Sequence, residues 1–306
     1  MVCKGNIIYT PGPEAYAIHE NSYIVIENKR VKGIYDELPE GIDEMSVIDY
    51  KDGLIIPSFI DLHIHAPQFI QRGIGMHLQL IDWLGKYTYI QESLFEDINH
   101  AKHIYPPFVD SLYDHGTLRS SIFGTIHDKS NRYLLELIKA KGIGAFVGKV
   151  NMNQNAPDSL SQVSEVSLNE TESFIKAYLE EPLVKPIITP RFAPSCTFEL
   201  MGGLGQLSMR YHIPVQSHLS ENKDEIAWVK ELYPEAKDYT DVYDRCGLLG
   251  KEKTLMAHGI YLDEDELERL NNENIYLDKL INLQLFYFVL LLDQNYMLLH
   301  EKSHLH

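Results

Sequence analysis

Three cysteines in 306 residues, Cys3, Cys196 and Cys246, are too few and too scattered for a disulfide framework or a cysteine-rich metal site. Positive charge is short as well: 27 Lys and Arg face 44 Asp and Glu, a formal net charge of -17. Nucleic acid and anionic membrane surfaces both call for basic patches, so neither is expected as a partner. The opening Met1-Val2-Cys3-Lys4-Gly5-Asn6 has no long apolar run, so no secretion signal is expected and a cytoplasmic location is. No G-x-G-x-x-G or G-x-x-x-x-G-K occurs, which leaves a nucleotide site without support. H-x-E with a downstream P-C-x-x-C, the mark of the cytidine-deaminase zinc fold, is missing too.

What is present starts with Phe59-Ile60-Asp61-Leu62-His63-Ile64-His65-Ala66-Pro67-Gln68. Alternate side chains of a strand share a face, so His63 and His65 point one way and Leu62 and Ile64 the other. Two neutral imidazoles on one face form a chelate for a divalent metal, although H-x-H also occurs in ordinary strands. Two later segments, Pro214-Val215-Gln216-Ser217-His218-Leu219-Ser220-Glu221 and Thr254-Leu255-Met256-Ala257-His258-Gly259, also end an apolar strand on a histidine. A carboxylate follows the first by three residues, and Gly259 lets the chain turn sharply after the second. The other ten of the fourteen histidines, His100, His103, His115 and His212 among them, read as structural or surface residues.

The length suits a large core, in one α/β domain or two. Residues 22–35 predict a β-hairpin turning at Glu27-Asn28-Lys29. From residue 57 the text alternates, with strands expected at 59–65, 119–126, 143–150, 185–190, 214–218 and 254–258. Helical stretches between them include Arg132–Lys139 and Glu225–Leu232, and Asp263 with Glu266 forms a capping box. Alternation predicts a parallel sheet. Polar residues at the strand ends favour a (β/α) barrel, with a doubly wound sheet as the rival.

Taken together, the chain resembles the guanine deaminases of the amidohydrolase superfamily. The resemblance is carried by Pro57 to Gln68, Asp82-Trp83-Leu84-Gly85-Lys86-Tyr87-Thr88, Thr125-Ile126-His127 and Ala145–Val150. It continues through Thr189-Pro190-Arg191-Phe192, Gln216–Asn222, Tyr243-Asp244 and Met256–Gly259. It implies a TIM-like (β/α)8 barrel beside a small β-sandwich, with residues 1–56 part of the latter and 57–275 the first six barrel units. It implies Zn2+, with Fe2+ as the alternative, held by His63, His65 and His218. Glu221 would shuttle protons and His258 would orient the water or polarise the intermediate. His65, Gln68, Arg191, Phe192 and His218 would surround the substrate, guanine, which gives xanthine and ammonia. A homodimer is the implied assembly. Other readings of the same residues are a different amidohydrolase, acting on a triazine or cyclic amide, and an inactive fragment.

Two departures from that pattern stand out. Ser58 replaces a glycine, and residues 276–306 carry neither the His-Cys-Pro segment nor the late aspartate ligand. This apolar tail has no glycine or proline and no βα rhythm, so the barrel is expected to stop at six strands with two open edges. Neither Asp278 nor Asp293 is assigned as a ligand. Residues 1–306 alone are therefore expected to bind zinc weakly and to turn guanine over poorly.

Overall fold

The computed structural model describes residues 1–12, 15–271 and 275–278, which divide into two compact units, Met1–Phe59 and the described residues from Ile60 to Asp278. In the first unit, strands β1 (Val2–Gly12), β2 (Ala15–Glu27), β3 (Arg30–Tyr35) and β4 (Val47–Ile55) form one sheet in the order β3-β2-β1-β4. β2 and β3 are the expected hairpin. Asn28 and Lys29 occupy its turn at φ 51° and 64°, the left-handed pair that a two-residue turn between twisted strands requires. Cys3, Ile7, Ile24 and Ile55 bury one face of this sheet. Among the described residues this unit holds that one sheet.

In the second unit strands and helices alternate. β5 (Phe59–His65), β6 (Thr117–Phe123), β7 (Gly144–Gly148) and β9 (Val184–Pro186) are neighbours in one sheet, with β6, β7 and β9 parallel. Short extensions β8 (Val150–Asn151) and β10 (Thr189–Pro190) pair in parallel beyond it. An Ile188–Val215 bridge then leads to β11 (Val215–Leu219) and β12 (Thr254–His258), also parallel. Helices Ile98–Asp114, Asp128–Lys141, Ser164–Tyr178, Phe198–Tyr211, Lys223–Leu232 and Glu264–Asn271 fall between the strands. The Asp263–Glu266 capping box is formed, with each side chain accepting from the other's backbone N–H at 2.8 and 3.2 Å.

The expected end of the sheet at six strands is corrected. β13 (Ile275–Asp278) lies parallel to β12 in register Thr254↔Ile275 to Ala257↔Asp278. Ile275 and Leu277 pack against the core that holds Leu204, Val215 and Met256, so burial of alternate side chains makes a strand without Gly or Pro punctuation. The β12 edge is therefore covered. Among the described residues β5 and β13 each have one strand neighbour. The remainder of the apolar tail, Asp293 included, lies outside the described residues, as does the side chain of Asp278. Among the described residues no helix is long and apolar enough to cross a membrane.

Two buried clusters flank the strands. One packs Phe108, Leu112, Leu134 and Ile138 from two helices on Ile122 and Val147; the other packs Leu200, Leu204 and Tyr243 on Val215 and Met256. Burial on both faces is what a parallel sheet requires, and it leaves the C-terminal strand ends as the place for polar side chains.

Candidate active site

His63 and His65 do share a face of β5, with ring centroids 5.0 Å apart. β11 delivers His218 to the same place, 4.7 Å from the His63 ring and 5.0 Å from that of His65. One nitrogen of each ring lies within 4.8 Å of the others, and Nε2 of His65 stands 3.0 Å from Nε2 of His218. The Nδ1–H of His218 donates to the Arg191 carbonyl at 2.6 Å, which fixes the tautomer and leaves the Nε2 lone pair facing the other rings. Burial first, and the neighbouring imidazoles after it, holds all three rings well below the usual histidine range. Neutral imidazoles are the form that binds metal. Nδ1 of His63 and of His65 are buried without a hydrogen-bond partner. A converging, neutral, nitrogen-only donor set with orphaned ring atoms fits a divalent cation such as Zn2+. Among the described residues no carboxylate or thiol joins the three.

Glu221 stands between β11 and helix Lys223–Leu232, and His258 ends β12. Glu221 Oε2 is 3.3 Å from His258 Nε2. Burial, and then the Glu225 charge, lifts the Glu221 carboxyl to about 8, with Arg191 pulling it back. Burial alone lowers His258 to about 4. The loop holding Glu221 is anchored because Glu225 Oε2 accepts the N–H of Glu221 (3.0 Å) and of Asn222 (3.1 Å). The turn that ends β12 is made by His258 itself at φ 75° and by Gly259 at φ 59°.

The third group of residues lies alongside. Gln68, in the turn after β5, donates its Nε2–H to Oε1 of Glu92 at 3.1 Å. Arg191, after β10, donates Nη1–H to the other oxygen of Glu92 in a buried ion pair, both side chains being under 4% exposed. The Tyr89 ring lies 5.5 Å from the Arg191 guanidinium. Phe192 is buried with Leu84, Tyr89 and Phe123. A cavity of about 330 Å³ opens beside His63, His65, Gln68 and Trp83.

All of the site residues expected from the sequence, His63, His65, Gln68, Arg191, Phe192, His218, Glu221 and His258, thus lie at C-terminal strand ends or in the loops that follow. Two residues escaped that reading. Phe123 ends β6, with its ring centroid 4.6 Å from those of both His65 and His218, and forms an apolar wall for the ligand set. Its place at the end of an apolar strand was the available signal. Glu92 sits on the short helix Tyr89–Ser93, 99 residues from its partner Arg191, and no local pattern announces it.

Residues 54–287 match the model of the amidohydrolase family. The guanine deaminase of Dictyostelium discoideum is 41% identical over 289 residues, covering 88% of this chain and 64% of that protein. The guanine deaminase of Mus musculus is 44% identical over 216 residues, 69% of this chain and 47% of that one. A crystal structure of guanine deaminase from C. acetobutylicum, with guanine bound in its active site, superposes with a TM-score of 0.88 at 43% identity, over 90% of this chain and 66% of that one. The chain spans between about half and two thirds of the length of these relatives. The family match covers most of the chain and takes in every strand that carries His63, His65 and His218: the chain belongs to the amidohydrolase family.

Proposed function

We propose that this chain carries the substrate and metal machinery of a guanine deaminase, which hydrolyses guanine to xanthine and ammonia. The observation that carries the reading is that three sets of side chains meet at one group of strand ends: the His63–His65–His218 ligand set, the Glu221–His258 pair and the Gln68–Glu92–Arg191 wall. The relatives named guanine deaminases, one with guanine bound, support the choice of substrate.

Zn2+ held by His63, His65 and His218, with Fe2+ as the alternative, would supply Lewis acidity and a water activated at neutral pH. The chain's own groups do the rest. Water oxygen bonds to the ring carbon that bears the amino group, and the C–N bond to that group breaks. Glu221 takes a proton from the attacking water and passes it to a ring nitrogen, then carries the proton of the new hydroxyl to the amino group, which leaves as ammonia while the hydroxyl becomes the carbonyl. Burial and the Glu225 charge raise this carboxyl in the metal-free chain, and a dication beside it would draw it back toward the range in which it can accept that proton. His258, uncharged and 3.3 Å from Glu221, orients the water and the developing alcohol. Gln68 and Arg191 hold the polar edge of the base, and Phe192 packs near its ring. A closed eight-stranded barrel, a β-sandwich partner for the first sheet, a homodimer and a cytoplasmic location belong to the same reading of the whole protein.

Three histidines suffice to hold zinc in some catalytic sites, so metal and guanine binding are expected of residues 1–306 themselves. Turnover by this chain is expected to be slow, because no carboxylate joins the ligand set among the described residues. The test is equilibrium binding and ammonia release with zinc-loaded protein, comparing guanine with a triazine and a cyclic amide. Preference for guanine is the expected result. Stronger binding or faster ammonia release with the triazine would overturn the assignment.

A further inference from the structure

We propose that Glu92 is a positioning residue that sets the hydrogen-bond polarity of the substrate wall. This inference rests on the guanine reading and deepens it, since it concerns how the wall selects a base. A carboxylate can only accept hydrogen bonds. Glu92 Oε1 takes the Nε2–H of Gln68 at 3.1 Å, which commits the amide's donor end to the protein. The Gln68 side chain borders the cavity beside His63 and His65, so its carbonyl oxygen is the end left for a ligand. Without Glu92 the amide could turn over and offer a donor at the same spot. The second Glu92 oxygen takes Nη1–H of Arg191, which fixes the orientation of the guanidinium as well. One buried carboxylate, 1% exposed, therefore fixes both the amide of Gln68 and the guanidinium of Arg191. A ligand that fits must present a ring N–H to Gln68 and an oxygen or nitrogen lone pair to Arg191, as an oxo-purine does.

Glu92 is not a catalytic residue on this account, because both of its oxygens are taken by Gln68 and Arg191. Its role is tested by exchanging the two groups. In Glu92→Gln the carboxylate is lost and the Gln68 amide is no longer held one way. In the double variant Gln68→Glu/Glu92→Gln the carboxylate has changed places: the residue at 92 can donate its NH2, and the residue at 68 still shows an acceptor oxygen to the cavity. Guanine binding is measured by equilibrium dialysis on zinc-loaded chain carrying Glu221→Gln, so that bound guanine is not consumed, with zinc content recorded for each protein. Loss of a hydrogen bond to a charged group predicts that Glu92→Gln weakens guanine binding by about tenfold to a hundredfold with zinc content unchanged. The exchange is expected to restore it to within about threefold of the parent, a rescue that a merely structural role gives no reason for. Should Glu92→Gln fail to fold, Glu92→Asp keeps the charge that Arg191 needs and withdraws it from Gln68, and the same weakening is expected. An exchange variant no better than Glu92→Gln, or Glu92→Asp at parental affinity, would overturn the inference while leaving the functional reading intact. Absence of guanine binding in the zinc-loaded parent would overturn both.

Discussion

Replacing His65 by Asn should remove part of the protein's sensitivity to acid, by an amount that the site's geometry sets. In metal-free protein His63, His65 and His218 are kept uncharged by burial and by one another. In the unfolded chain each titrates near 6.5. A folded-state value below the unfolded one gives stability that is present above 6.5 and lost as the pH falls, since the unfolded chain then binds protons that the folded chain refuses. Between pH 7.5 and 5.5 the loss is about 1.4 kcal/mol for each imidazole, roughly 4 kcal/mol for the three. His258, lowered to about 4, adds a similar single increment. Glu221 works in the opposite sense. With its carboxyl near 8, protonation stabilises the folded form as the pH falls. Over the same interval that returns up to about 2.5 kcal/mol, so the net loss from these five groups is about 3 kcal/mol. The absolute figure mixes several groups, but the difference between parent and His65→Asn isolates one ring. The assay is urea unfolding with a chelator present, at both pH values, for both proteins. The parent should lose about 1.4 kcal/mol more than the variant. Equal pH dependence in the two would refute the claim that the metal-free site holds His65 neutral.

The remaining predictions concern chemistry, substrate hold and packing. Glu221→Gln should keep zinc yet lower ammonia release from guanine by about 10²–10⁴-fold, the usual worth of general acid–base catalysis; a rate near that of the parent would remove Glu221 from the reaction. Arg191→Lys should mainly weaken base binding, because an ammonium cannot reproduce the planar fork that Glu92 orients; guanine dialysis reads it. Gly148→Ala should cost at least about 1–3 kcal/mol in urea unfolding, since an added Cβ would stand 1.8 Å from Thr189 Oγ1 and 2.7 Å from Thr189 Cβ, across the junction where β7 gives way to β8. Asn222→Ala should cost about 1 kcal/mol, because the Asn222 side chain accepts the Asp224 N–H at 2.8 Å and caps the helix that follows Glu221.

Local periodicity and short spacings are legible in the linear chain, and they specify a good part of this molecule. H-x-H in a strand places two imidazoles on one face whatever the fold, because side chains alternate. Histidines ending the apolar runs 214–218 and 254–258, with Glu221 three residues past the first, already spell out the proposed chemistry of the site. Asn28-Lys29 and the Asp263–Glu266 capping box were legible for the same reason, since each is satisfied within a few residues. Features that depend on distant partners were settled only by folding. Glu92 matters only because folding brings Gln68 and Arg191 to its two oxygens, and a lone carboxylate on a short helix carries no mark of that. Phe123 becomes the wall of the ligand set only when β6 lies beside β5 and opens toward His218. Ile275–Asp278 is the plainest case. Its residues lack turn punctuation, and they form a strand because the edge of β12 offers unpaired backbone groups and the adjacent core accepts Ile275 and Leu277.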